Sequence, residues 1–212
     1  MLEAGNVCDD EGRKLTKDDT AVVEFLNSPE VKAVKDDFEL FHYYFETTAH
    51  LEEWTKYYDE PTRKVKYKYE DGLTYVSCLC EGIIEAPLMN LVALFCEIDL
   101  FKDWFPNVTA CDEIKQVTPT RGLYKCKQSM PWPMWPRDLT FTASGLLDHK
   151  NVGILTVIKS TDEKGGEYFG VPIPDTAEGH VRIEIKRGYH YFQRIDDNTT
   201  RYVTIFNTDP QL

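Results

Sequence analysis

Five histidines, six cysteines and an aromatic run set among prolines are the groups in this 212-residue sequence that could do chemistry. Histidine at neutral pH can act as a general base or bind a metal. His42, His50, His149, His180 and His190 are scattered, however, and none falls in an HExxH pattern. Nor does the sequence contain GxSxG, GxGxxG, CxxC or a phosphate-binding GxxxxGK, so it predicts no catalytic residue and no cofactor. The cysteines at 8, 78, 80, 96, 111 and 126 lack the paired spacing of a metal site and are expected to be reduced, mostly buried thiols. Cys78 and Cys80 would share one face of a strand, but no complementary ligand pair accompanies them, so no metal is expected.

The unusual segment is 129–138, which reads Ser-Met-Pro-Trp-Pro-Met-Trp-Pro-Arg-Asp. Its three prolines fix φ and remove backbone donors, which makes a stiff loop between two strands. Trp132, Met134 and Trp135 on such a loop either cap the core or project outward. An outward indole suits a bilayer interface, because the ring has an apolar body and one polar N–H.

The elements that must position these groups follow from hydrophobic periodicity. Ser28-Pro29 starts a helix in which Val31, Val34, Phe38, Phe41 and Phe45 recur at spacings of three and four. A shorter helix is expected from about residue 18 to 26, and the helical region is expected to run on to about Tyr58. From Thr62 the period becomes two: Val65, Tyr67 and Tyr69 alternate with Lys64, Lys66 and Lys68, whose side reads as a solvated face. Glu70-Asp71-Gly72 then turns the chain into a second strand, giving a hairpin. Pro87 opens another helix, a short aromatic stretch follows at 101–106, and strands are expected over 108–117, 123–130, 138–147, 152–160, 180–195 and 201–207. Helices, hairpin, helix and antiparallel meander make an α+β protein in which a long curved sheet wraps on helices.

Composition bounds the function. An apolar content of 42% supports one buried core, and no stretch of about 18 apolar residues is available to cross a bilayer. The start of the chain lacks the basic and apolar regions of a secretory signal, so a cytoplasmic protein is expected. Its net charge of -12 arises mainly in residues 1–60, which hold 16 acidic and 6 basic residues. That balance repels phosphate backbones and excludes nucleic acid as the expected partner.

On these residues the sequence resembles a START domain, the StAR-related lipid-transfer family. The resemblance is carried by Trp132-Pro133 followed by Arg137-Asp138, by the helix start at Ser28-Pro29-Glu30-Val31, and by the hairpin at 67–85. The aromatic stretch ahead of Asn107-Val108 and the late Val181-Arg182 add to it. It implies a helix-grip fold, in which a curved antiparallel sheet and a long carboxy-terminal helix enclose a tunnel for one lipid. The implied function is binding and intermembrane transfer of that lipid without covalent chemistry. A lipid-sensing regulatory module and a hydrolase of hydrophobic esters are the alternatives. Residues 1–16 are expected to be a flexible amino terminus and 17–212 a single lipid-binding domain. The chain stops at Leu212, where the resemblance implies a closing helix, so truncation is expected.

The resemblance also implies site residues. If Lys125 and Lys127 face water, Tyr124, Cys126 and Gln128 point inward, and Leu139, Phe141 and Ala143 form the next inward row. Positions that hold a polar pair in the sterol-binding relative fall near Tyr124 and Ala143. Those that grip choline in the phosphatidylcholine relative fall near Phe101, Cys126 and Leu139, and those that hold ceramide fall near Phe105 and Cys126. None of the family's charged residues is matched, so the tunnel is expected to be more apolar here. Tyr124 and Gln128 remain as neutral hydrogen-bonding groups, and Arg182 is the nearest charge. Trp132 aligns with a membrane-engaging tryptophan of the ceramide relative, which implies transient contact with a membrane through Trp132, Met134 and Trp135. Arg137 and Asp138 are expected to be a structural pair.

Overall fold

The computed structural model describes Thr16 and residues 19–69, 76–161 and 165–209. The expected flexible segment 1–16, Cys8 and the hairpin turn at 70–72 therefore lie, Thr16 apart, outside the described residues. Two compact units, Met1–His42 and Tyr43–Leu212, divide the chain.

The first unit holds helix α1 (Thr20–Asn27) and most of α2 (Pro29–Ala49). Ser28 separates them: its backbone is extended, and its hydroxyl oxygen accepts from the Val31 N–H at 3.4 Å. Pro29 suits the first helical turn, where its missing donor costs nothing. Of the expected apolar row, Phe41 is buried, whereas Val34 and Phe38 are exposed.

The second unit begins with the end of α2 and continues through β1 (Thr55–Glu60), β2 (Arg63–Tyr69), β3 (Val76–Ile84), α3 (Leu88–Cys96) and the single-turn α4 (Phe101–Trp104). A meander follows: β4 (Val108–Thr118), β5 (Arg121–Gln128), β6 (Arg137–Asp148) and β7 (Gly153–Ser160). The short strands β8 (Glu167–Tyr168), β9 (Val171–Pro172) and β10 (Val181–Arg182) precede β11 (Glu184–Arg194) and β12 (Thr200–Asp209). Among the described residues β12 is the last element, and no helix follows it.

The main sheet runs β1-β2-β3-β12-β11-β7-β6-β5-β4, with β10 added parallel to β6. The chain therefore joins β3, the inner strand of its first three, to its last strand β12, placing Cys80 opposite Thr204 and Leu79 opposite Ile205. Thr55–Glu60 is a strand paired with β2, which corrects the expected helical extension to Tyr58. The lysine side of β2 is not simply solvated either: Lys66 Nζ donates to the Leu51 carbonyl at 3.2 Å, and Lys68 pairs with Glu53 at 3.0 Å.

Register and ring contacts sort the sheet into two faces. Leu79, Leu155, Val157, Tyr189, Tyr191, Val203 and Ile205 lie on one face and are buried. Tyr44 of α2 rests there, with its ring centroid 5.5 Å from that of Tyr189 and 5.7 Å from that of Tyr191. The alternate residues face α3, whose Phe95 ring lies 4.8 Å from His190 and 4.9 Å from Phe192. On this α3 face Ile154, Thr156, Ile158, Tyr202, Thr204 and Phe206 are only half-buried. Alternation thus sets a tightly covered group around Tyr44 on one face and a partly open apolar row on the other.

Candidate functional site

The α3 face carries an apolar cluster of Ile98, Val108, Cys111, Cys126, Leu139, Phe141 and Ile185, with Phe101, Phe105, Tyr124, Ala143, Ile158 and Phe206 packed around it. Tertiary structure thereby brings together seven of the nine expected lipid-site residues: Phe101, Phe105, Tyr124, Cys126, Leu139, Phe141 and Ala143. They come from α4 and the residue after it, from β5 and from β6, and register explains the meeting of the strand residues, since Tyr124 stands opposite Phe141 and Cys126 opposite Leu139. Phe101 and Phe105 stack with centroids 5.8 Å apart, one helical turn separating them. A bulge between Ile185 and Arg187 turns Ile185 onto the same face as Phe206.

Tyr124 is a less available polar group than expected. Its hydroxyl donates to Gln116 Oε1 at 3.1 Å, and burial pushes its pKa up to about 12. Gln128 is half-buried at the end of the same row, opposite Arg137. Cys126 stands directly opposite Cys111 in the β4–β5 pair, with Cα atoms 4.1 Å apart, and the two sulfurs are joined as a disulfide. The expectation of six reduced thiols is corrected at this pair, because strand register placed two distant cysteines side by side. Cys78 and Cys96 are exposed rather than buried, and burial nevertheless holds the Cys78, Cys80 and Cys96 thiols above their usual pKa. Among the described residues no group of three or more potential ligands could hold a metal.

Arg182 does not join the apolar cluster. Its guanidinium pairs with Asp138, whose side chain leaves β6 on the face opposite Leu139 and Phe141, and it also donates to the Pro174 carbonyl at 3.0 Å. Lys125 shares that carboxylate at 3.2 Å and donates to the Asp175 carbonyl at 2.6 Å, so it does not face water as expected. The Ala177 N–H donates to Asp138 at 3.2 Å. Two cations and one fully buried carboxylate thus tie the segment around residues 174–177 to β5 and β6. Arg137 and Asp138 are both buried at the start of β6, and Arg137 donates to the Trp135 carbonyl at 2.8 Å.

That bond holds the base of the proline-rich loop, whose tip points outward. Trp132 is 93% exposed, Trp135 66% and Met134 37%. The Met134 N–H donates to the Pro131 carbonyl at 3.0 Å, and Ser129 donates to the Asn107 carbonyl at 2.8 Å, so the loop is internally bonded. These three side chains do not cap the core.

Sequence reasoning missed a polar centre on the α3 face. His190 Nδ1 lies 2.7 Å from the Tyr202 hydroxyl, and the imidazole is enclosed by the rings of Phe95, Tyr202 and Phe206. Desolvation pushes its pKa down to about 3, so the ring is neutral. The signal was the run Tyr189-His190-Tyr191-Phe192, typical of a strand covered on both faces. Charged partners lie on the other face, where Arg201 pairs with Glu81 at 2.8 Å.

No family model and no curated protein matches the sequence. Solved structures do match. Human STARD10 is 18% identical, with a TM-score of 0.67 over 79% of this chain and 66% of its own, just under two thirds of that protein. Human StAR-related lipid transfer protein 5 is 16% identical, with a TM-score of 0.68 over 84% of this chain and 82% of its own. A STAR-related lipid transfer protein fragment from Xanthomonas axonopodis is 19% identical, with a TM-score of 0.61 over 74% and 82%. The chain has the α+β, START-like helix-grip fold.

Proposed function

We propose that this chain binds one lipid against the α3 face of its sheet and exchanges it with membranes, without catalysing a covalent reaction. The observation that carries the proposal is the contrast between the two faces. Leu79, Leu155, Tyr189, Val203 and Ile205, on the face against Tyr44, are fully covered, whereas the apolar residues facing α3, including Ile154, Ile158 and Phe206, keep part of their surface uncovered. Burying a hydrocarbon chain there is favourable: about a dozen methylenes at about 0.8 kcal/mol each offset about 10 kcal/mol of lost bilayer contact. The START-like fold supports the reading, because two of the matched proteins are named for lipid transfer.

The exposed Trp132, Met134 and Trp135 fit transient, peripheral membrane contact. Among the described residues no helix is long and apolar enough to cross a membrane. Binding is favoured over hydrolysis because the candidate groups are detuned. Burial holds the Cys78, Cys80 and Cys96 thiols protonated, and it holds His190 neutral and weakly basic.

The test is native mass spectrometry and lipid extraction on the purified full chain, followed by transfer between donor and acceptor liposomes. One lipid per chain and accelerated transfer are the expected results. A chain that carries no lipid, takes none from liposomes and moves none overturns the proposal.

A further inference from the structure

The polar groups on the α3 face form a row, and the row is uncharged. Pairing across the sheet aligns Thr156 of β7 with His190 of β11, His190 with Thr204 of β12, and Thr204 with Cys80 of β3. The flanking rungs are Ile154, Phe192, Tyr202 and Gly82 on one side and Ile158, Gly188, Phe206 and Cys78 on the other. Across these four strands no described residue of the α3 face between these rungs is charged at neutral pH, His190 included. The Glu81–Arg201 pair and its Gln193 partner belong to the opposite face.

From this we infer, resting on the lipid-binding reading above, that the α3 face selects an uncharged lipid alcohol, whose hydroxyl is received by His190, Tyr202 and Thr204. The geometry points there for three reasons. First, His190 and Tyr202 satisfy one another at 2.7 Å, which commits only one imidazole nitrogen. If Tyr202 donates to Nδ1, then Nε2 carries a proton to give; in the other tautomer Nε2 accepts. Secondly, Thr204 Oγ1 is buried beside the Tyr202 hydroxyl without a well-formed hydrogen bond. A hydroxyl both donates and accepts, so it can complete either arrangement. Thirdly, a phosphate, carboxylate or ammonium placed here would meet no counter-ion on these four strands, and a buried unpaired charge is strongly disfavoured. The low basicity of the enclosed imidazole removes the one group that could have neutralised an anion.

The aromatic frame fixes where the rest of the ligand goes. Phe206 touches His190, with ring centroids 5.1 Å apart, and also packs on the apolar cluster of Leu139, Phe141 and Ile185. Phe95 touches His190 at 4.8 Å and Phe101 at 6.1 Å. A hydroxyl at the polar row therefore places an adjoining hydrocarbon body on the cluster. A monohydroxy sterol and a diacylglycerol share this chemistry.

The experiment uses the purified full chain with four probes in phosphatidylcholine vesicles: a monohydroxy sterol, its methyl ether, a diacylglycerol, and that diacylglycerol acetylated on its free hydroxyl. Phosphatidylserine and a fatty acid serve as charged comparators, and bound lipid is counted by mass spectrometry. At least one free alcohol is expected to bind at least about five-fold more tightly than its capped form, and more tightly than either charged lipid. The sterol and diacylglycerol arms decide which body fits. Thr204→Val and His190→Phe, each checked for a retained melting transition, are expected to bring the ratio of free to capped binding close to one. Equal binding of free and capped forms, or preference for a charged lipid, overturns this inference while leaving lipid binding standing. Failure to bind any probe or comparator overturns both.

Discussion

The Lys125 ammonium stands 3.2 Å from the Asp138 carboxylate, which is fully buried and also holds the Arg182 guanidinium. Removing the one anion strands two cations that have little access to water. Asp138→Asn is therefore expected to destabilise the fold by about 3 kcal/mol or more. Urea unfolding of the variant measures the loss. A midpoint equal to that of the parent chain would show that the three charges are not held together in solution.

Trp132 and Trp135 are expected to matter for membranes and not for folding. Replacing both with Ala should leave unfolding free energy within about 0.5 kcal/mol of the parent value for each site, as for exposed positions elsewhere. Liposome association should fall by about ten-fold or more, because two large indoles no longer enter the interface. Flotation with neutral vesicles reads the second effect. Added anionic lipid is expected not to strengthen binding, given the net charge of -12.

His190 makes the fold acid-sensitive. Its folded pKa lies near 3, below the ordinary value of 6.5, so the unfolded chain takes up the proton first. Its neutral burial is accommodated without cost above pH 6.5, and stability is lost as pH falls from there towards 3. The slope reaches about 1.4 kcal/mol per pH unit. His190→Gln is expected to flatten the pH dependence of the melting temperature across that window. An unchanged slope would mean that the imidazole is open to water.

Gly188 has no side chain because Phe206 occupies the space. A Cβ at 188 would lie 2.9 Å from the Phe206 ring and 3.2 Å from Ile185. Gly188→Ala is expected to cost about 1–3 kcal/mol and to weaken lipid retention, since the ring it displaces belongs to the α3 face. Thermal denaturation and lipid extraction on the same sample check both parts. A stable variant with full retention would contradict the placement of Phe206.

Much of the strand and helix layout was legible because each element follows a local rule. Ser28-Pro29 starts a helix through cap geometry, and the alternation in β2 and β6 follows from the two-residue period of a strand. The inward row Leu139, Phe141 and Ala143 could be read from that period, as could Tyr124 and Cys126. Thr55–Glu60 escaped notice because Tyr57 and Tyr58 do not alternate, and β1 exists through its pairing with β2.

The sequence by itself determined which residues share a strand face, where the stiff tryptophan loop lies and that the charge is acidic, since these depend on neighbours along the chain. Tertiary structure alone decided what each face meets. Both faces of β6 turned out to be covered, so Lys125 and Arg182 were drawn to Asp138. Cys111 came opposite Cys126, and the row of Thr156, His190, Thr204 and Cys80 was assembled from four separate strands. Such pairings are set by strand order and register, which arise from long-range packing that no local periodicity encodes.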